Sequence, residues 1–249
     1  MAKTKAGGRG GNRGGRRRGS CLGAAWRAAG ALLALIVVVP VAQVGCVRYV
    51  DPPLSTMMGQ RWVEAMLDER RPPPLRHQWL ALDQAPDEFL RMLLVSEDAR
   101  FFAHDGFDWI EIEAAWRDWR ERGKPLRGAS TVSMQCARSL FLWQGWPHAR
   151  KPLEVYYTLL MERILGKRRI LELYINHIEM GDGVYGLAAA ARSHFQRAPA
   201  ELATGQLACL AAMLPNPRHW NPATPPPALA ARRDRILRRL PAMRLPEDL

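Results

Sequence analysis

The chain has 249 residues, enough for one sizeable hydrophobic core and one appended element but not for two full catalytic domains. Its formal charge of +12 would suggest a nucleic-acid partner, yet residues 1–50 hold nine of the 36 basic side chains and no acidic one. The rest of the chain carries 27 of the 36 basic and all 24 acidic side chains, as an ordinary soluble domain does. The charge therefore belongs to a tail, and we expect no nucleic-acid partner.

A basic tail, residues 1–27, precedes an uncharged run of twenty residues, Ala28–Val47. As a helix this run is about 30 Å long, which is enough to cross the hydrocarbon core of a bilayer. Eight basic residues precede the run and only Arg48 follows it closely, so the positive-inside rule places the N-terminus in the cytoplasm and the remainder in the periplasm. We predict a retained single-pass anchor. A cleaved signal peptide and a lipoprotein signal ending at Gly45-Cys46 are the alternatives.

Residues 48–79 are predicted to form a membrane-proximal connector. Within it, residues 54–70 place Trp62 and Met66 at helical spacing, and this apolar side faces either lipid headgroups or, preferably, the core of the domain. From Pro86 onward nearly every segment has a 3.6-residue period and no long alternating run indicates a sheet, which predicts a mainly α domain over residues 80–249. The predicted helices cover residues 86–99, 108–122, 130–143, 152–165, 167–177, 186–196, 205–214 and 226–240.

An acidic side chain lies on the apolar face of the first of these helices. Leu90, Leu94 and Glu97 recur at helical spacing, so the carboxylate of Glu97 is directed toward the apolar side. A carboxylate is costly there unless it is used, and desolvation favours its action as a general base. The period alone is equally compatible with a solvated or salt-bridged glutamate at a helix end.

The segment Gly128–Thr131 is predicted to open a helix with hydroxyl groups at its N-cap. The hydroxyls of Ser130 and Thr131, beside free backbone N–H groups, make a natural anion site that suits a diphosphate. Gln135 and Arg138 lie three residues apart and share one face of this helix, where they add one neutral and one cationic donor. The simpler alternative is an ordinary capped helix with a solvated arginine.

The segment Arg150–Glu154 is predicted to begin the next helix, with Pro152 in its first turn. Lys151 and Glu154 should then face the same way, although a glutamate in a first turn can simply complement the helix dipole. Below them we predict a core stripe formed by Leu153, Tyr156, Leu160 and Ile164. The arginine cluster near the C-terminus is most simply a solvated helix face, biased toward anionic headgroups; it comprises Arg232, Arg233, Arg235, Arg238 and Arg239.

The four cysteines do not form a disulfide framework in a chain of this size. Cys21 and Cys46 belong to the anchor region, whereas Cys136 and Cys209 lie in apolar helical patterns. We predict that the latter two are buried free thiols, although an oxidising compartment would permit a bridge between them. No Cys/His spacing indicates a zinc site.

Five ordered motifs resemble the peptidoglycan glycosyltransferase family, and in particular its monofunctional biosynthetic branch. They are SEDARFFAHDGFD (Ser96–Asp108), GASTVSMQCARSLFLW (Gly128–Trp143), RKPLE (Arg150–Glu154), GKRRILELYIN (Gly166–Asn176) and GDGVYGLAAAARSHF (Gly181–Phe195). The resemblance implies a lysozyme-like helical domain that polymerises lipid II at the bacterial inner membrane, beside the growing glycan strand and other cell-wall synthesis proteins. Ala129, Met134 and Arg138 depart from the residues common at those places in the family.

By resemblance, Glu97 is the catalytic base and Glu154 the second acidic residue of the site. Ser130, Thr131, Gln135, Arg138, Arg150 and Lys151 are then the residues that bind substrate. Beyond these residues, a divalent cation such as Mg²⁺ is one further source of charge for the departing undecaprenyl diphosphate, and no cofactor is certain. Each of the seven serines is followed three residues later by something other than lysine, which excludes the Ser-x-x-Lys pair of a transpeptidase. A lysozyme-like lytic enzyme and a non-catalytic membrane partner are the rival interpretations.

Overall fold

Helices dominate the chain, as the 3.6-residue periodicity predicts. The structure is a computed structural model that describes residues 15–67, 75–123, 128–247 and 249, with side chains from residue 25 onward except residue 32. Residues 1–14 of the predicted basic tail and residues 68–74 of the predicted connector lie outside this part. The described α-helices are α1 Gly15–Val47, α2 Thr56–Leu67, α3 Asp87–Glu97, α4 Trp109–Arg122, α5 Val132–Phe141, α6 Pro147–Ile164, α7 Gly166–His177, α8 Leu187–Phe195, α9 Thr204–Ala212 and α10 Pro227–Arg239.

Strand structure in the described residues is confined to two short segments. These are β1 Arg76–His77 and β2 Val184–Tyr185, which pair in parallel with Arg76 opposite Val184. Short 3₁₀ turns lie at residues 82–84, 101–103, 199–201 and 240–242. The prediction of a mainly α fold is confirmed.

The chain divides into two units, residues 1–43 and residues 44–249. The first unit contains most of α1, in which Ala25–Val47 is long and apolar enough to cross a membrane, with a mean hydropathy of 2.4. Pro40 lies inside this helix, a position that membrane-spanning helices tolerate better than soluble ones. Length and composition thus fit a single-pass anchor.

The core of the second unit brings two groups of helices together. α3 packs against α9 and α10, whereas α5 packs against α6 and α7. Leu90 and Leu94 of α3 are buried, as their spacing predicts, and so are Leu171 and Tyr174 of α7. This packing sets the C-terminal end of α3 beside the N-terminal end of α5, where the amide of Val132 contacts the residue that follows Glu97.

Within the second unit, the connector packs against the rest of the unit through a different face from the predicted one. Met57 and Met58 of α2 are buried with Tyr185, whereas Trp62 and Met66 are about half exposed, at 48% and 52%. The core interpretation therefore holds for the helix but was wrong about these two residues. The cause is the rotation of α2, whose inner face runs through Met58 and Arg61.

The helix that carries the third motif starts earlier than predicted. α6 begins at Pro147, not near Arg150, so Pro152 lies inside the helix and not in its first turn. Because Pro152 has no N–H, the carbonyl of His148 loses its normal i+4 donor. The predicted core stripe is also displaced, since the buried positions on α6 are Arg150, Glu154, Tyr157, Thr158 and Met161, while Leu153, Tyr156, Leu160 and Ile164 are only partly buried.

Candidate active site

Glu97 is held by donors from three different directions at the end of α3. Its Oε1 accepts hydrogen bonds from Ser96 Oγ at 2.9 Å and from Arg232 Nη2 at 2.8 Å, and its Oε2 accepts one from Gln135 Nε2 at 3.1 Å. The side chain is 12% exposed, so solvent reaches only a small part of the carboxylate. A carboxylate fixed in this way keeps one orientation, which is what a general base requires.

A buried tyrosine fixes the amide that faces Glu97. Tyr174 is fully buried, and its hydroxyl donates to Gln135 Oε1 at 2.9 Å, which leaves Nε2 of Gln135 to donate to Glu97. Burial, reinforced by the charge of Glu97, raises the pKa of Tyr174 well above its ordinary value. The phenol therefore stays protonated and acts as a donor at every pH at which the protein functions.

The start of α5 is occupied by a carboxylate of the protein itself. Thr131 is the N-cap and accepts from the Met134 amide at 3.2 Å, as the sequence predicts. However, Asp98 Oδ2 accepts from the Val132 amide at 3.0 Å, and both Asp98 oxygens lie within 3.1 Å of His104 Nε2. Two of the free N–H groups of this helix start are therefore used internally, which corrects the expectation that they are open to a diphosphate. His104 serves here as a hydrogen-bonding residue, and its Nδ1 accepts from the Gly106 amide at 3.2 Å.

A cleft of about 240 Å³ opens beside Glu97. Its walls come from the end of α3, the segment before α5, the loop before α4, and the last residue of α10. The lining side chains include Glu97, Asp98, Arg100, Asp108, Glu111, Ser130, Thr131 and Arg239. Ser130 and Thr131 thus line the cleft, although the Thr131 hydroxyl donates to the Gly106 carbonyl at 2.6 Å. The cleft combines carboxylates with cationic groups.

Among the described residues, Asp98, His104 and Asp108 place one ligand atom each within 4.8 Å of the others. The Asp98 oxygens already accept from His104 and from the Val132 amide. Asp108 Oδ1 caps α4 at the Glu111 amide, and its Oδ2 lies 3.3 Å from Arg100 Nε. Since these potential ligand atoms are already engaged within the protein, the group does not fit a resident cation such as Mg²⁺.

Glu154, Arg150 and Lys151 form a second polar cluster on α6. The Glu154 side chain is 1% exposed and accepts from Arg150 Nη1 and, at 2.9 Å, from Lys151 Nζ. Lys151 and Glu154 therefore share a face, as predicted. Arg150 is only 10% exposed and directed at Glu154, whereas Lys151 is 47% exposed and remains accessible to a ligand. In the described part of the chain, no hydrogen bond or ion pair joins this cluster to Glu97.

Two arginines of the site differ in how they are engaged. The guanidinium of Arg138 has no hydrogen-bond or ion-pair partner among the described residues, and its charge acts on Tyr174, so it lies near the Gln135 network. Arg232 contacts Glu97 and also Ser96 Oγ at 2.8 Å. The expectation that the whole C-terminal arginine cluster is a solvated face was therefore wrong for Arg232. No local pattern distinguishes it from Arg235 or Arg238, because its contact depends on the packing of α10 against α3.

The two predicted cysteines lie where their apolar patterns indicate. Cys136 and Cys209 are buried and free, which confirms the prediction of unbridged thiols. Burial raises the pKa of each thiol above its ordinary value, so both are unreactive at neutral pH.

A family model described as Transglycosylase matches residues 64–241 of this chain. A biosynthetic peptidoglycan transglycosylase of Rhodospirillum centenum (strain ATCC 51521 / SW) is 41% identical over 218 residues, covering 88% of this chain and 91% of that protein. Proteins of the same name from Xanthomonas campestris pv. campestris (strain B100) and Xylella fastidiosa (strain 9a5c) are 43% and 42% identical. They cover 80% and 86% of this chain and 80% and 87% of their own lengths. The matched interval contains Glu97, Glu154 and Arg232.

Proposed function

This chain belongs to the transglycosylase family and is a peptidoglycan glycosyltransferase with a mainly α, lysozyme-like fold, and from this premise we propose that it polymerises lipid II into glycan strands. The observation that carries the proposal is the set of donors around Glu97. An acidic side chain with three fixed donors at the mouth of a cleft is arranged for proton transfer from one defined direction.

In the proposed reaction, Glu97 takes the proton from the 4-hydroxyl of the acceptor's N-acetylglucosamine. The oxygen then bonds to the anomeric carbon of the donor as the bond from that carbon to the diphosphate breaks. Attack comes from the face opposite the leaving group, so the configuration at the anomeric carbon is inverted. Undecaprenyl diphosphate departs with the bonding electron pair, and Glu97 retains the proton until solvent removes it.

Two cationic side chains outside the cleft lining support a diphosphate as the leaving group. Lys151 is about half exposed on α6, and Arg138 has no ion-pair partner among the described residues. Both are available to a phosphate, and positive charge fixed where negative charge develops lowers the barrier to departure. Ser130 adds a hydroxyl group in the cleft, whereas the Thr131 hydroxyl is already used, since it donates to the Gly106 carbonyl at 2.6 Å. We assign Glu154, which is enclosed by Arg150 and Lys151, the task of orienting Lys151.

The lytic alternative uses the same carboxylates but leaves the cations without a task. A glycan-cleaving enzyme releases a sugar hydroxyl, not a phosphate, and gains little from an unpaired Arg138 or an exposed Lys151. The relatives are also named as biosynthetic enzymes. Polymerisation is therefore the better supported of the two activities.

The test is incubation of the purified full-length protein with labelled lipid II, followed by separation of polymer from substrate. The wild-type protein is expected to form polymer, and Glu97→Gln is expected to reduce its rate by about 10²–10⁴-fold, the usual contribution of a general base. Glu113→Gln is the matched control, because Glu113 is an exposed glutamate of α4 whose ion pair within the described residues is with Arg117. Near-normal polymerisation by Glu97→Gln would refute the assignment.

We further propose that the enzyme is anchored in the inner membrane with its catalytic unit in the periplasm. The apolar helix supports a single-pass anchor. The excess of basic residues before that helix supports the orientation, since such residues stay on the cytoplasmic side. An anchor would hold the enzyme in the same membrane as its lipid-linked substrates.

A further inference from the structure

The turn that joins α5 to α6 has a strained backbone. Gly145 has φ of 91°, and the next residue, Trp146, has φ of 43°. The left-handed region suits glycine but is unfavourable for a residue with a bulky side chain. Burial of the indole does not offset this strain, because Trp146 is 81% exposed. Other contacts must hold the turn.

Those contacts come from the connector helix. Gln60 of α2 donates from Nε2 to the Gln144 carbonyl at 3.2 Å and accepts from the Gln144 amide through Oε1. One side chain thus satisfies both backbone groups of the residue that precedes the strained pair. Glu64 accepts from the same Nε2 at 2.6 Å, which fixes the orientation of the Gln60 amide.

The connector is itself fixed on the catalytic unit, so it can impose a position on the turn. Met58 is completely buried beneath α2. At the start of the connector, Arg169 of α7 donates to the Val47 carbonyl at 2.9 Å and pairs with Asp51 at 2.8 Å. The contact between Gln60 and Gln144 therefore joins a fixed helix to a strained turn.

The beginning of α6 depends on this turn because its own hydrogen bonding is incomplete. Trp146 is the N-cap and provides no side-chain cap, and Pro152 leaves the His148 carbonyl without its helical donor. The residues between these two interruptions include Arg150 and Lys151. The position of these two residues therefore depends on contacts from outside α6 more than it would in an uninterrupted helix.

We propose that Gln60 is a positioning residue that holds the first turns of α6, so that Lys151 is correctly placed for the diphosphate of the substrate. The inference rests on the proposed function, since it assumes that Lys151 binds this group. Gln60 precedes the residues matched by the family model, which begin at residue 64. The connector then serves as part of the binding site and not only as a tether to the anchor.

The experiment measures the initial rate of polymerisation against lipid II concentration for wild-type protein, Gln60→Leu and the control Gln78→Leu. Gln78 is an exposed glutamine whose side chain accepts one hydrogen bond, from Arg192. Loss of two hydrogen bonds to the turn should raise KM by about tenfold. We expect kcat to stay within about threefold, because Arg138, which the variant does not touch, still stabilises the charge that develops on the departing diphosphate. Gln78→Leu should match the wild type.

Gly145→Ala tests the same turn without touching the connector. A methyl group at this position meets open space, so the change acts only through the cost of φ 91°. It should raise KM in the same way, and it keeps the proposal testable if thermal melts show that Gln60→Leu does not fold. A folded variant of either kind with unchanged KM, or with a loss confined to kcat, would overturn the positioning role. Failure of the wild-type protein to polymerise lipid II would refute the proposed function as well.

Discussion

The main effect of replacing Glu154 by glutamine should be a loss of folding stability. The side chain is 1% exposed and is the counter-ion of Arg150, which is itself 10% exposed and has an Nε atom with no partner among the described residues. Glu154→Gln would leave the Arg150 charge buried and uncompensated. Removal of one partner of a buried pair costs about 3–5 kcal/mol. Lys151 can turn to solvent, so its lost contact adds only about 0–1 kcal/mol.

This loss is large beside the total stability of a domain, which is about 5–15 kcal/mol. Urea unfolding in detergent, followed by circular dichroism, should show a lower midpoint at an unchanged slope. Glu113→Gln, which removes one member of an exposed pair on α4, should shift the free energy of unfolding by less than about 1 kcal/mol. An unchanged midpoint for Glu154→Gln would refute the view that Glu154 neutralises Arg150.

A double variant separates the contribution of Glu154 to folding stability from its part in catalysis. Glu154→Leu combined with Arg150→Met replaces the buried pair by apolar groups and should recover most of the lost stability. We expect this variant to fold but to show a raised KM for lipid II, because Lys151 no longer has the carboxylate that orients it. A stable double variant with normal KM and kcat would exclude any functional role for Glu154.

Three further predictions concern other parts of the molecule. Arg232→Leu should lower the rate of polymerisation by about 10- to 100-fold, since it removes a charged hydrogen bond to Glu97. The control Arg238→Leu, on the exposed side of α10, should leave the rate unchanged. Equal rates for the two variants would contradict the role of Arg232. Burial, with a smaller contribution from the charges of His77 and Arg169, lowers the pKa of His177 to about 3. Between about pH 6.5 and pH 3 the protein therefore takes up a proton when it unfolds, and the free energy of unfolding decreases as the pH falls. The loss at pH 5 is about 2 kcal/mol, and urea unfolding of His177→Phe should lack that part of the pH dependence while the exposed His148→Phe keeps it. A reporter active only in the cytoplasm, fused after Leu249, should be inactive, and its activity would refute the proposed orientation.

The helices and the candidate base could be predicted from the sequence because both depend on local patterns. A 3.6-residue period and a capping threonine act over a few residues, and the predicted helices from α3 to α10 agree with the structure within about two residues at most ends. Glu97 was placed by its spacing from Leu90 and Leu94 together with a motif. The charge separation between the tail and the body likewise required only counting.

The start of α6 shows how one local rule can favour two places. Pro152 favours a first-turn position, so the sequence indicated a helix beginning near Arg150. The helix begins instead at Pro147, which is also a proline in a first turn. The contact of Gln144 with Gln60, more than eighty residues earlier in the chain, leaves no signal in the spacing of neighbouring residues.

The surroundings of Glu97 and Asp98 were decided only by the tertiary structure. Arg232 lies 135 residues from Glu97 in sequence and reaches it because α10 packs against α3. Asp98 occupies the start of α5 because α3 and α5 meet there, whereas Glu154 pairs with Arg150 within α6 at i,i+4 and owes only its burial to helix packing. The sequence by itself determined which helices form and which carboxylates are available, since hydrogen bonding and periodicity within a helix are local. Helix packing determined which charges those carboxylates meet, because electrostatic partners are selected by distance in space.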